Sequence, residues 1–284
     1  MKYAIIDIGS NSVRLMLWAG GTLYKWVITT RLAQGLSESG AICEEAAQRT
    51  VDAVREFCEE GTRLDARVYA FATAAVRNAS NGAHFCELVK NTCGIQVDVV
   101  SGEEEAQLGL YGALGRSDGT IIDIGGASTE VCMRKEGKIC FSTSLDVGVV
   151  RLLDRCGQDE DKLKAYIRKM IERLDNLSCV QPVYVIGGTA STLASVKLGL
   201  EKYDAAKLNG LMLSSNYLDE TAKKLLCMSV EQRKALAGME PRRADLIAGG
   251  AVLLSEMVHA LKLNEVYFSD SDNLEGYLVV RGLV

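Results

Sequence analysis

The sequence contains the same acidic, glycine-bearing phrase twice, 116 residues apart. The phrase IIDIGSNS, residues 5–12, returns as IIDIGGAS, residues 121–128, with six of eight positions identical. Each copy reads as an apolar strand that ends in a glycine turn with hydroxyl side chains. Backbone N–H groups at such a turn lack ladder partners and form a concavity that binds anions, most often phosphate. The repeat therefore predicts two phosphate loops, each with an aspartate, Asp7 or Asp123.

The two aspartates would face each other across a cleft if each copy belongs to its own lobe. Paired carboxylates beside phosphate-binding amides suit Mg²⁺, a hard cation that keeps waters and bridges phosphate oxygens. One copy alone would be weak evidence for phosphate binding and would more simply be a β-hairpin turn, in which glycine supplies a positive φ and aspartate caps the bend. The duplication favours the phosphate interpretation, because turn chemistry alone does not explain two intact copies.

Three consecutive glutamates open a predicted helix after Ser101-Gly102. The helix dipole favours carboxylates at this end, so capping is a sufficient explanation for most of them. Successive helical residues point about 100° apart, so at least one of Glu103, Glu104 and Glu105 should turn toward the protein or the cleft. A carboxylate close to bound phosphate would be a general base for water attacking phosphorus.

Two further segments contain candidate anion ligands. Arg77 follows a predicted strand end, and its guanidinium suits bidentate contact with phosphate. A surface arginine near a helix start is the competing interpretation. Gly187-Gly188-Thr189 lies between a predicted strand and a predicted helix, where helix N–H groups would point toward an anion or a nucleotide. Tight packing of strand against helix explains the same glycines.

Strands and helices alternate in both halves of the sequence. Strands are predicted at residues 3–8, 13–18, 22–29, 67–72, 96–100, 120–124, 128–134, 138–145, 183–186 and 266–269. Helices are predicted at residues 43–60, 80–93, 101–114, 149–156, 161–177, from about 190, and at 218–226, 230–237 and 243–263. This order indicates an α/β architecture with a cleft between two lobes. The boundary is predicted in the loop 115–119, giving lobes 1–117 and 118–284, with the terminal segment free to pack back on the first lobe.

Composition narrows the class of protein. With 284 residues, 48% hydrophobic and 24% charged, the chain is typical of a globular protein of two domains or of one large domain. A net charge of −5 argues against a nucleic-acid surface, and no apolar run approaches the roughly 18 residues of a membrane span. We expect no signal peptide, reduced cysteines and a cytoplasmic location. Only two histidines occur, which weighs against histidine metal sites and Ser-His-Asp catalysis.

The order of these motifs resembles the exopolyphosphatase/guanosine-pentaphosphate phosphohydrolase (Ppx/GppA) family. The matching segments extend along essentially the whole chain, at residues 7–12, 73–81, 101–106, 123–130, 187–189, 243–245 and 269–276. The resemblance implies two actin-like (ribonuclease H-like) α/β lobes, a duplicated fold with an interlobe cleft. It also implies Mg²⁺-dependent release of the terminal phosphate of polyphosphate or pppGpp. A homodimer is compatible with the resemblance.

The same resemblance assigns roles to individual positions. Glu105 matches the catalytic glutamate that activates water. Asp7, Asp123 and Glu130 would hold the metal. The expected metal is Mg²⁺, with Mn²⁺ as a substitute and K⁺ as a further, monovalent candidate. The positions that match phosphate-binding residues are Ser10, Asn11, Ser12, Arg77, Gly125, Gly126, Ala127, Ser128, Gly188 and Thr189.

Three positions depart from the family pattern. Ala127 replaces the usual third glycine, which would cost about 1 kcal/mol or more if that position requires a positive φ. Gln107 and Leu274 replace arginines, which weakens the expectation of a long polyanionic substrate. These changes keep open a non-catalytic nucleotide- or polyphosphate-binding regulatory protein, and a small-molecule kinase of the same fold is a third alternative. The residues do not rank polyphosphate against pppGpp.

Overall fold

Two β-sheets form the frame of the molecule in the computed structural model, which describes residues 1–284. The first sheet contains β1 (Tyr3–Ile8), β2 (Ser12–Trp18), β3 (Thr22–Thr29), β4 (Arg67–Ala72) and β5 (Val97–Val99). The second contains β6 (Gly119–Ile124), β7 (Thr129–Lys135), β8 (Lys138–Leu145), β9 (Val183–Ile186), β10 (Met212–Ser214) and β11 (Glu265–Phe268). The strand orders are β3-β2-β1-β4-β5 and β10-β11-β9-β6-β7-β8.

Helices cover and connect the sheets. Those of the first half are α1 (Leu36–Ser39), α2 (Glu44–Arg63), α3 (Ala74–Asn78), α4 (Gly82–Cys93) and α5 (Gly102–Leu114). Those of the second half are α6 (Val149–Cys156), α7 (Glu160–Ile171), α8 (Gly187–Leu198), α9 (Ala205–Leu208), α10 (Ser215–Cys227), α11 (Val230–Lys234), α12 (Ile247–Ala260) and α13 (Asn273–Val280). Short 3₁₀ turns lie at Glu172–Leu174 and Pro241–Arg243. None of the helices combines the length and apolar character that crossing a bilayer requires.

The two sheets repeat one arrangement around the duplicated phrase. Strands β1 and β6 are buried along their whole length, which explains their continuous apolar sequence. Strand β1 pairs antiparallel with β2 and parallel with β4, and β6 pairs antiparallel with β7 and parallel with β9. Each central strand therefore runs into a hairpin turn at its carboxyl end. The predicted α/β fold with two similar halves is confirmed.

Helix α5 lies between the two sheets. On one side Leu108 packs in a cluster with Ile5 of β1, and on the other Ala106 and Leu110 pack with Ile121 of β6. Helix α13, at the end of the chain, packs along α5 and against β1. The start of α5 is thereby fixed where both halves of the fold meet.

Several elements differ from the sequence-based prediction. The short helices α1, α3 and α9 and the strand β10 are not predicted, and α7 ends at Ile171 although the predicted helix extends to residue 177. Two longer helices, α12 and α13, differ for identifiable reasons. The helix expected at 243–263 begins only at Ile247, because Pro241 starts a separate 3₁₀ turn. Helix α13 is absent from the prediction because its sequence, NLEGYLVV, lacks a polar face. Most of its residues are buried, and a helix buried nearly all round has no amphipathic period to recognise.

Candidate active site

The two glycine turns meet at the floor of the cleft between the sheets. They close alike, since the N–H of Gly9 donates to Ser12 O at 3.1 Å and the N–H of Gly125 donates to Ser128 O at 3.0 Å. A Cβ added to Gly126 would lie 2.8 Å from Ser10 Cβ and 3.2 Å from the backbone nitrogen of Asn11. The second turn therefore packs directly on the first.

Several polar groups of these turns have no partner within the protein. The backbone N–H groups of Ser10, Asn11 and Gly126 donate to no carbonyl oxygen, and all three residues line the cleft. The side-chain amide of Asn11 is buried and makes no hydrogen bond. Because buried polar groups are nearly always paired, this concentration of free donors indicates a site for an anionic ligand.

The cleft encloses about 1270 Å³, far more than one phosphate group occupies. The sequence-predicted site residues that line it are Asp7, Ser10, Asn11, Ser12, Glu105, Asp123, Gly125, Gly126, Ser128 and Gly188. The predicted residues that do not line it are Arg77, Ala127, Glu130 and Thr189.

Two of these four residues face the core. Ala127 is 4% exposed and does not adopt a positive φ, so its methyl group causes no backbone strain. Thr189 packs against Gly250 of α12, where a Cβ would lie 2.8 Å from Thr189 Cγ2. Neither side chain reaches the cleft, and the replacement of glycine by Ala127 is structurally harmless.

The three glutamates of α5 separate into different environments. Ser101 caps the helix, and Glu104 returns the contact by accepting a hydrogen bond from Ser101 N at 2.9 Å. Glu103 is exposed to solvent. Glu105 is buried and lines the cleft. The capping interpretation therefore holds for Glu104, while Glu105 is the carboxylate that turns inward.

Arg77 holds Glu105 rather than opening onto the cleft. Its Nη1 donates to Glu105 Oε2 at 2.8 Å and to the carbonyl of Val100 at 2.9 Å. Burial raises the pKa of Glu105 to about 7; Arg77 opposes this shift, and the nearby carboxylates of Asp123 and Asp7 add to it. A carboxylate with this pKa is suited to accept a proton near neutral pH.

The hairpin register places an arginine opposite the first aspartate. Asp7 of β1 pairs with Arg14 of β2, and Arg14 Nε donates to Asp7 Oδ2 at 3.0 Å. Arg14 Nη1 also forms an ion pair with Asp272. Burial raises the pKa of Asp7 despite Arg14, and the second oxygen, Oδ1, is buried without a partner.

The second aspartate contacts the end of the chain. Asn273 Nδ2 donates to Asp123 Oδ2 at 2.9 Å. Burial raises the pKa of Asp123 to about 6, with Arg14 opposing the shift. Asp123 thus contacts the start of α13 directly, and Asp7 is linked to it through Arg14.

Glu130 lies beside Asp123 but outside the cleft. The register of β6 and β7 pairs the two residues, and Glu130 Oε1 accepts a hydrogen bond from Ser144 Oγ at 2.7 Å. Burial, reinforced by Glu105 and Asp123, raises the pKa of Glu130 well above its ordinary value. Because Glu130 does not line the cleft, we leave it out of the metal site proposed below.

Arg243 supplies a positive charge that forms no salt bridge, although the nearby carboxylate of Glu240 favours it in part. Its guanidinium packs on Gly188 at the start of α8, where a Cβ would lie 1.9 Å from Arg243 Nη1. Burial and the neighbouring Arg14 lower the pKa of Arg243 to about 10. A buried guanidinium without a salt bridge, in a cleft lined by free N–H groups, favours binding of an anion.

The residues fit a Mg²⁺ ion that is shared with a substrate. No group of three or more histidine, cysteine or acidic side chains forms an all-protein metal cage. Mg²⁺ commonly uses one or two carboxylates and takes its other ligands from water and phosphate. Asp7, with its unpartnered Oδ1, and Asp123 meet this requirement on the cleft wall.

Four residues of the site are missing from the sequence-based prediction: Arg14, Arg243, Asp272 and Asn273. Arg14 stands 116 residues before Glu130 and occupies the same hairpin position, so the repeat offset would have located it. The other three lie in segments 243–245 and 269–276, which match the family pattern, but that match assigns them no role and no local pattern marks their contacts with the cleft.

Replacing Gly126 with alanine is expected to lower kcat/KM for phosphate release at least tenfold. The added methyl group would meet Ser10 Cβ at 2.8 Å and Val150 Cγ2 at 3.3 Å, so the two turns must separate and their N–H groups would no longer converge on an anion in the cleft. Gly249→Ala is the matched control, because a Cβ there finds its nearest neighbour at 3.7 Å. Steady-state kinetics of both variants check this, and equal activity of the two would contradict it.

Comparison with known proteins agrees with the geometry. A sequence model of the Ppx/GppA phosphatase family matches residues 21–281. The chain is 31% identical to Exopolyphosphatase 2 of Mycobacterium tuberculosis, with 97% of each protein covered. It is 40% identical to the guanosine-5'-triphosphate,3'-diphosphate pyrophosphatase of Photobacterium profundum over 55% of this chain and 34% of that protein. The crystal structure of the Aquifex aeolicus Ppx/GppA family member matches with a TM-score of 0.81 at 27% identity, covering 100% of this chain and 98% of that one.

These similarities extend along the whole chain and include a solved structure with the same two-sheet architecture. The expected α/β fold and the expected enzyme class, a hydrolase of the phosphatase type, are confirmed. The chain belongs to the Ppx/GppA phosphatase family.

Proposed function

We propose that this protein hydrolyses the terminal phosphoanhydride bond of inorganic polyphosphate or of pppGpp and releases phosphate. The observation that carries the proposal is the position of Glu105, a buried carboxylate that lines the same cleft as the two facing glycine turns. The similar proteins carry the names of an exopolyphosphatase and of a pyrophosphatase that acts on guanosine triphosphate diphosphate. Those names supply the two substrate classes.

The terminal phosphate is bound by the free N–H groups of Ser10, Asn11 and Gly126. Arg243 adds a positive charge that has no competing ion pair. Preorganised donors of this kind supply most of the catalysis in phosphoryl transfer, because they match the charge that develops in the transition state. A Mg²⁺ or Mn²⁺ ion held by Asp7 and Asp123 would, when bound, neutralise charge on the phosphate oxygens.

Glu105 acts as the base for the attacking water. Arg77 occupies its Oε2 oxygen, and Oε1 makes no hydrogen bond in the protein, so Oε1 accepts the proton. The water oxygen bonds to phosphorus as the bridging P–O bond breaks, and the shortened phosphate chain leaves. The ion pair with Arg77 fixes the direction of the carboxylate during this step.

The walls of the cleft favour short substrates over long ones. Glu201 and Glu240 also line it and form no salt bridge, so their charges would oppose a long polyanion that lies along this wall. At equal concentrations of chain ends and low salt, we expect faster phosphate release from tripolyphosphate than from chains of several hundred phosphates. Salt should reduce the difference, because it screens exposed charges. Release that increases with chain length at low salt would contradict this.

Phosphate release from tripolyphosphate, long polyphosphate and pppGpp, each with Mg²⁺ and with a chelator, tests the proposed function. Mg²⁺-dependent release from at least one substrate is expected. Tight binding without release would favour the non-catalytic binding role, and transfer from ATP to an acceptor other than water would favour a kinase. All nine cysteines are free thiols, so we place this activity in the reducing cytoplasm.

A further inference from the structure

We infer that Asp272 and Asn273, at the start of α13, are positioning residues that hold the two cleft aspartates in place. The inference rests on the proposed function, since it concerns where Asp7 and Asp123 present their carboxylates to a substrate. These two positions lie at the junction of both halves of the fold, and neither residue has a role in the chemistry described above.

The contacts of the two residues reach one aspartate in each half. Asn273 is 3% exposed and donates from Nδ2 to Asp123 Oδ2 at 2.9 Å. Asp272 forms an ion pair with Arg14, and Arg14 is at the same time bonded to Asp7. Two consecutive residues therefore fix Asp123 directly and Asp7 through a single arginine.

Asp272 divides its two oxygens between separate tasks. Oδ1 accepts a hydrogen bond from Leu274 N at 3.0 Å and caps α13, while Oδ2 takes the ion pair with Arg14. Glu275 completes the cap by accepting from Asp272 N at 3.0 Å. Burial disfavours the charge of Asp272, but Arg14 and Lys25 outweigh it and lower the pKa of the carboxyl group. Asp272 is therefore a fixed anion at the helix start.

Close backbone packing removes any slack between α13 and α5. A Cβ on Gly112 would lie 1.8 Å from Asp272 O, and a Cβ on Gly276 would lie 1.8 Å from Leu108 O. A Cβ on Gly109 would lie 3.0 Å from Asn273 Oδ1. Helix α5 also carries Glu105. The proposed base and both aspartates are therefore held in place by the same pair of helices, α5 and α13. This shared support is the physical basis for a fixed spacing among the three carboxylates.

The competing explanation is that the two residues only cap and stabilise α13. Asp272→Asn separates the two roles, because asparagine is as good a helix cap as aspartate but carries no charge for Arg14. Asn273→Ala removes the amide that holds Asp123 and leaves the helix cap intact. Leu278→Ala is the matched control: it truncates a buried side chain of the same helix, 1% exposed, that packs away from the aspartates.

The experiment measures kcat, KM, thermal stability and the crystal structure of the three variants. Loss of an outer partner of a metal or catalytic ligand typically costs about 10–100-fold in affinity or activity. We expect kcat of Asn273→Ala and of Asp272→Asn to decrease by about 10–100-fold, with KM changed less than threefold. The carboxylate of Asp123 should be displaced in the first variant and that of Asp7 in the second. Leu278→Ala should lower the melting temperature most and keep kcat within threefold of wild type.

Three results would overturn the inference: wild-type kcat in Asn273→Ala, unmoved aspartates in both variants, or losses of kcat that follow the melting temperature in all three. Absence of phosphate release by the wild-type protein is a different failure, which removes the proposed function. The displacement of Asp123 in crystals of Asn273→Ala still decides the positioning role in that case, because it requires no turnover.

Discussion

Replacing Glu105 with glutamine is expected to lower kcat by about 10²–10⁴-fold, the range that general acid–base catalysis contributes. Glutamine keeps the size of the side chain and one oxygen for Arg77, so the loss isolates the ability to accept a proton. KM should change little, because the proposed phosphate ligands are the glycine turns and Arg243 rather than Glu105. Steady-state phosphate release with the preferred substrate measures both constants.

Glu103→Gln is the control for this variant. It makes the same substitution two residues away in the same helix, at an exposed position, and should retain wild-type activity. If Glu105→Gln kept more than half of the wild-type kcat, the assignment of Glu105 as the base would be wrong.

The pH dependence of the wild-type enzyme should report the same group. Burial raises the pKa of Glu105 to about 7, and a base must be deprotonated to act. In the wild-type protein kcat/KM should therefore fall about tenfold for each pH unit below the pKa of this carboxyl group. Mg²⁺ bound beside Asp7 and Asp123 would shift this decrease of kcat/KM to lower pH. In Glu105→Gln, the decrease that is caused by protonation of Glu105 should be absent.

Replacing Arg243 with methionine is expected to lower kcat/KM by roughly 10²-fold, since a hydrogen bond to a charged group is worth about 1.5–3 kcal/mol. The same change should raise the melting temperature of the ligand-free protein. Burial and Arg14 lower the pKa of Arg243, which means that the folded state disfavours this charge when no anion is bound. Steady-state kinetics test the expected decrease of kcat/KM, and thermal unfolding without ligand tests the expected increase of the melting temperature.

Arg233→Met gives a matched comparison for stability. Arg233 is 1% exposed and donates to the carbonyls of Leu225 and Ala244 and to the side chain of Gln158. Removing a buried donor that satisfies three acceptors destabilises the fold, so this variant should melt lower than wild type. If Arg243→Met also melted lower and kept its kcat/KM, Arg243 would be a structural residue rather than a phosphate ligand.

The duplicated phrase carried most of what the sequence could predict about the site. Both copies lie on fully buried strands, and the turns after them meet as expected from the repeat. The sequence also predicts an inward-facing glutamate at this helix start, because three adjacent helical residues cannot share one environment. Local periodicity and turn chemistry determine such features over a few residues, so the sequence alone predicts them.

The partners of these residues were decided by contacts between distant segments. Arg77 was expected at the phosphate, yet it pairs with Glu105, 28 residues later. Asn273 reaches Asp123 across 150 positions, and Arg14 reaches Asp272 across 258. No local pattern records such distances, since they depend on how α5 and α13 cross between the sheets.

The sequence by itself therefore determined the α/β halves, the two phosphate turns and the candidate base. Only the tertiary structure decided which charges are paired and which are free: Arg77 is engaged with Glu105, Arg14 with two aspartates, and Arg243 with no carboxylate. The physical reason is that residue type sets what a side chain can bind. Burial and packing of remote elements set which partner it meets and what charge it carries there.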